Sequence, residues 1–158
     1  MAMGNYKHLL LAVDFEPNGA PVIERARQLY AQFGSRLTLL HVLEPVMPPQ
    51  EYMPLGCGAE LPLPDDIGLE HELLELSQRQ LDVIGDELGV APEDRLVRIG
   101  STGHTIDAVA AEIGADLVVV GSHGRHGFMR LFGSTSKAVL GSLTCDVLCV
   151  KLSEGGGA

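Results

Sequence analysis

Five short, nearly unbroken apolar runs constrain the fold of this chain more than any other feature of it. They are His8–Val13 (HLLLAV), Leu37–Val42 (LTLLHV), Leu96–Ile99 (LVRI), Leu117–Val120 (LVVV) and Val147–Val150 (VLCV). Runs this short, without polar alternation, are what strands buried on both faces of a parallel sheet look like. Helical spacing fills the gaps: Val22, Ala26, Leu29 and Phe33, then Leu69, Leu73, Leu76, Leu81, Ile84 and Leu88. Two further sets follow, Ile106, Val109, Ala110 and Ile113, and Ala138, Val139 and Leu143. Gly34, Gly89 and Gly114 stand where the first three helices should stop, each ahead of a strand, as a left-handed cap requires. Alternating strands and helices predict an α/β fold, a parallel sheet with helices on both faces.

At 158 residues the chain suits one domain, given roughly 100 to 200 residues per domain; we place it at 5–152, with 153–158 as a flexible Gly-rich tail. One segment breaks the rhythm. Between Glu44 and Asp66 lie six of the nine prolines and no helical period, which predicts a long surface loop. The 21 acidic and 11 basic residues leave a net charge of −10, a field that repels phosphate backbones and anionic membranes, so nucleic acid and membrane partners are not expected. No apolar run approaches the roughly 20 residues of a membrane helix, and no cleavage site follows the N-terminal run, so a cytoplasmic location is expected. Cys145 and Cys149, four apart on an expected strand, lie too far apart to bridge and are expected as core thiols. Cys57 has no neighbour at ligand spacing.

Ligands of open parallel sheets bind beyond the carboxyl ends of the strands, which selects the loops starting at Asp14, Val42, Gly100 and Gly121. The last is the most unusual: GSHGRHGFMRLFGSTSKAV, from Gly121 to Val139. Its glycines let the backbone approach a ligand, and Gly133, Ser134 and Thr135 open an expected helix whose amides can hold a phosphate. The 29 residues between Asp116 and Asp146 contain no carboxylate, where 21 acids in 158 residues would place about four, while Arg125, Arg130 and Lys137 are cationic. An acidic chain that clears one helix start of acids and adds cations suits an anion site there; the plainer reading is a flexible strand-to-helix connection capped by Ser134. Other signatures are absent. There is no GxxxxGK[ST] loop and no GxSxG elbow. The STGHT run at Ser101–Thr105 follows the third strand, where a turn into a helix is expected, and Gly100 occupies the place of a receiver's phosphorylated Asp.

Taken together, HLLLAVD, LTLLHVLEP, ADLVVVGSHGR, GSTSKAVL and CDVLCVK resemble the universal stress protein family over essentially the full length. The resemblance implies a Rossmann-like five-stranded parallel sheet in the order 3-2-1-4-5. Its ATP-binding branch carries G-x2-G-x9-G-[ST] after the fourth strand; here Gly121, Gly124, Gly133 and Ser134 match, with a spacer of eight residues, RHGFMRLF. The nucleotide-binding candidates are then Ala12, Val13, Asp14, Val42, Gly121, Ser122, His123, Gly124, Arg125, Gly133, Ser134, Thr135 and Ser136. By resemblance Asp14 and the Val42 backbone hold adenine and Ala12 and Gly121 flank the ribose. Gly124, Gly133, Ser134 and Thr135 then surround the phosphates of ATP, with Mg²⁺ or Mn²⁺ between them.

Several of these residues have plainer readings. Asp14 can cap its own turn, His41 reads as a satisfied core histidine, and Arg125 and Arg130 can be solvated. His123 and His126 would share a metal only if their loop were helical. The expected function is an ATP-binding stress-response regulator with at most slow hydrolysis. The same resemblance places strand five at the sheet edge, where its unpaired amides need cover, so a homodimer joined antiparallel through 146–151 is expected, with a further protein partner unidentified. One alternative is a nucleotide-free homodimer working through protein contacts; another, an adenylating enzyme, would need an SGGxDS loop where VDFEPNGA stands.

Overall fold

In the computed structural model, which describes residues 5–17, 19–45, 64–122 and 143–152, the five apolar runs form one parallel sheet. The strands are β1 (His8–Ala12), β2 (Arg36–Leu43), β3 (Arg95–Ile99), β4 (Leu117–Gly121) and β5 (Asp146–Val150), arranged β3-β2-β1-β4-β5. The helices are α1 (Ala20–Phe33), α2 (Pro64–Leu88) and α3 (Thr102–Ile113). The expected order and fold class are both realised. The expected fourth helix lies outside the described residues, as does the loop from 123 to 142; Leu143 is irregular.

Odd-numbered residues of β1 and β2, Leu9, Leu11, Leu37 and Leu39, pack with Val22 and Ala26 of α1 and Leu81 and Leu88 of α2. Leu10, Ala12, Leu40 and Val42 face the other way, onto Ile106, Val109 and Ala110 of α3. Two-residue periodicity thus sends alternate side chains of the central strands into two cores, which is why their runs are nearly all apolar; the edge strands β3 and β5 are mostly half-buried or exposed. Gly34, Gly89 and Gly114 all have positive φ, at 62°, 72° and 69°.

Three expectations change. The helix expected to follow the proline-rich loop begins earlier, at Pro64, since proline lacks only an amide hydrogen that a first helical residue leaves unpaired. On α2, Leu69 and Leu76 are 50% and 51% exposed, while the sheet-facing line runs through Ser77, Leu81, Gly85 and Leu88. Cys149 is exposed and Cys145 half-buried, both free. Cys145 precedes β5, and β5 has a neighbour on one side only, so an edge strand leaves its thiol less covered than a central one would.

At the amino ends of the strands, Asp116 accepts hydrogen bonds from the amides of Lys7 (2.8 Å) and His8 (3.0 Å), and Tyr6 donates its hydroxyl to Asp146 (2.7 Å). Polar ties at that end leave the carboxyl ends to the loops. Among the described residues, no helix is long and apolar enough to cross a membrane.

Candidate functional site

The strand order reverses between β1 and β4, because β1 hydrogen-bonds β2 on one side and β4 on the other. Beyond the carboxyl ends of these two strands lies a cleft of about 420 Å³, within the size range of small-molecule sites. Its walls come from the end of β1 and the turn after it (Ala12, Val13, Asp14, Phe15), the start of α1 (Gly19, Ala20, Ile23), α2 (Gln80, Val83, Ile84), Gly121 and Leu152.

The β1–β2 register ends at Ala12↔Leu40, whereas β2 runs on beside β3 to Leu43↔Ile99. Asp14 leaves the strand half-buried, and its Oδ1 accepts the Glu16 amide at 3.1 Å. That is the plain turn-capping reading, and it uses one oxygen. Oδ2 accepts no hydrogen bond among the described residues. Phe15 follows at φ 62°, the one non-glycine positive φ among the described residues. Its ring stacks on the imidazole of His41, with centroids 4.3 Å apart and planes inclined by 32°.

His41 is 5% exposed and stands with its Nδ1 2.6 Å from the Val13 carbonyl oxygen, which bears out its reading as a satisfied core histidine. The start of α1 faces the cleft with no side-chain cap and no acidic residue in its first turn, but Pro21 has no amide hydrogen and the Val22 and Ile23 amides donate to the Gly19 carbonyl.

Of the sequence candidates, the structure brings Ala12, Val13, Asp14 and Gly121 together on the cleft. Val42 does not line it; its side chain belongs to the α3-side core, 3% exposed. Ser122 is tied to the far end of β5. Its amide donates to the Val150 carbonyl and its hydroxyl accepts the Leu152 amide, both at 2.8 Å. His123, Gly124, Arg125, Gly133, Ser134, Thr135 and Ser136 lie outside the described residues. Phe15, Ile23, Gln80, Val83 and Leu152 were not legible as wall residues. A positive φ at phenylalanine leaves no mark in composition, and only the fold carries α2 to the end of β1.

The family model described as the universal stress protein family matches residues 5–151. Two curated relatives from Coxiella burnetii, universal stress protein A homologs 2 and 1, are 35% and 33% identical to the chain. The first match spans 95% of this chain and 98% of the relative; the second, 95% and 99%. Among solved structures, a hypothetical protein whose biochemical function was assigned from its structure superposes with TM-score 0.70 at 21% identity, over 96% of this chain and 100% of the other. A universal stress protein in complex with cAMP superposes with TM-score 0.55 at 21% identity, over 94% and 98%. The universal stress protein of Archaeoglobus fulgidus in complex with dAMP gives TM-score 0.51 at 19% identity, over 95% and 100%. With its length matched by the family model, its sheet in the expected order and its cleft at the point where that order reverses, the chain belongs to the universal stress protein family.

Proposed function

We propose that the chain binds an adenine nucleotide, ATP, across the carboxyl end of β1 and acts as a nucleotide-responsive regulator in the stress response. The observation that carries the reading is Asp14, which lines a ligand-sized cleft at the sheet's switch point and whose Oδ2 accepts no hydrogen bond among the described residues. A carboxylate oxygen can accept the exocyclic amino group of adenine but opposes the carbonyl of guanine. On this reading the backbone of Val42 meets the same base, as the family resemblance implies. The two fold neighbours that carry cAMP and dAMP lend adenine further support.

On this reading Ala12 and Gly121 flank the ribose, while Gly124, Gly133, Ser134 and Thr135 hold the phosphates, with Mg²⁺ or Mn²⁺ shared among them. A metal would supply charge neutralisation there. The protein works in the cytoplasm as a single domain over 5–152 and as a homodimer through 146–151, where β5 is an edge strand of the sheet among the described residues.

MgATP should raise the melting temperature in a concentration-dependent way and outcompete MgGTP, and Asp14→Ala should weaken ATP by about 1–3 kcal/mol. Calorimetric titration of both nucleotides measures this; equal affinity of the wild-type protein for the two would remove Asp14 from the site. The eight-residue spacer between Gly124 and Gly133, one short of the ATP-binding pattern, favours a second reading, a nucleotide-free homodimer acting through protein contacts. No thermal shift at millimolar MgATP would establish that one instead.

A further inference from the structure

We propose that His41, which need not touch the nucleotide, sets its base selectivity by holding the two neighbours of Asp14. The inference rests on the reading of Asp14 as the adenine-reading carboxylate, and deepens it.

Val13 and Phe15 flank Asp14 in the chain, and one imidazole engages both. The Val13 carbonyl can only accept, so the 2.6 Å contact requires the proton on Nδ1 of His41. The face of the same ring meets Phe15 at 4.3 Å. Phe15 sits at φ 62°, a conformation that side-chain-bearing residues avoid unless their surroundings impose it. The His41 stack is such an imposition. His41 is itself anchored, 5% exposed on β2, and β2 continues beside β3 past the end of β1.

The turn after β1 is therefore pinned from a neighbouring strand at the residues immediately before and after the carboxylate. Without the pin, Phe15 can return to negative φ, rotating the Asp14–Phe15 peptide and re-aiming the carboxylate. Affinity for adenine, and discrimination against guanine, should fall together. His41 is a positioning residue in this scheme, and Phe15 its second point of hold.

Three variants test this, with ATP and GTP titrated separately. His41→Leu keeps an apolar side chain of similar size but cannot donate to Val13. His41→Asn keeps a donor near the place of Nδ1. Phe15→Ala removes the stack and leaves the buried histidine alone. His41→Leu is expected to weaken ATP on the order of tenfold and bring the ATP-to-GTP ratio close to one, and His41→Asn to restore most of that ratio. In an Asp14→Ala background His41→Leu should have no further effect on ATP, because it acts only through the carboxylate.

A His41→Leu protein that keeps the wild-type ratio would overturn the proposal, as would an equal loss with and without Asp14. If His41→Leu fails to fold, Phe15→Ala carries the same two comparisons. Wild-type protein with no preference for ATP would overturn the underlying reading instead, a result distinct from both.

Discussion

Arg95 shows what one charged side chain costs and returns when it is buried. With 8% of the side chain exposed, its guanidinium donates to the Val90 carbonyl through Nε (3.0 Å) and Nη2 (2.7 Å), to the Asp82 carbonyl at 3.3 Å and to the Asp86 carboxylate at 2.9 Å. These bonds satisfy a desolvated cation and place it at the carboxyl end of α2, where the helix dipole favours it. Gly85 makes the arrangement possible, since a Cβ there would collide with the guanidinium. In an open helix interior Gly85→Ala would stabilise by about 1 kcal/mol. Here it should destabilise by about 1–3 kcal/mol, as overpacking does, and urea unfolding gives the sign.

His8 carries a pH dependence. Burial first, then the Arg36 guanidinium, holds its imidazole below the ordinary value of 6.5. The unfolded chain therefore takes up that proton before the folded one, and stability, complete above pH 6.5, is lost as the pH falls through the folded value. The melting temperature should drop as the pH falls below 6.5, and drop less in His8→Gln.

At the scale of elements, α2 separates what pattern can and cannot tell. Its apolar residues lie in two phases: Leu69, Leu76 and Val83 repeat every seven residues, while Leu81, Ile84 and Leu88 repeat on another face. Either could have met the sheet. The structure buries Leu81 and Leu88, half-buries Ile84 and leaves the first set 50%, 51% and 59% exposed. Leu76→Ser and Val83→Ser should therefore change stability by no more than about 0.5 kcal/mol, whereas Leu81→Ala should cost about 2–5 kcal/mol. Thermal or urea melts distinguish them.

The strands were legible because burial on two faces removes the ambiguity that a one-faced helix keeps, and the helix stops because glycine at positive φ has few other uses. Of the candidate site, Asp14 and Gly121 could be found from strand ends, while Ala12 and Val13 came with the family resemblance. Phe15, Gln80 and Val83 could not, because their places depend on a backbone dihedral and on how α2 leans across the sheet. The thiol of Cys149 was misjudged for a related reason: an apolar strand looks alike at the centre and at the edge.

For the whole molecule the governing quantity is a net charge of −10. Two copies joined through β5 would bring like-charged bodies together, and a strand-to-strand union must overcome that repulsion. Sedimentation should show a dimer of about 34 kDa at tens of micromolar, twice the 16.8 kDa of one chain. The dimer should tighten as salt rises from about 0.05 to 0.5 M, because screening shortens the repulsion. A monomer at all salt concentrations would remove the proposed dimer.

The hydrogen bond from the Leu152 amide to the Ser122 hydroxyl has a mechanical meaning. Ser122 is the next residue after Gly121, and Leu152 itself walls the cleft. Tension applied to the chain just beyond Leu152 would thus reach the strand at the cleft's edge through this bond. A bulky protein fused directly at that point would load this joint, and one joined through a long Gly-Ser tether would leave it slack.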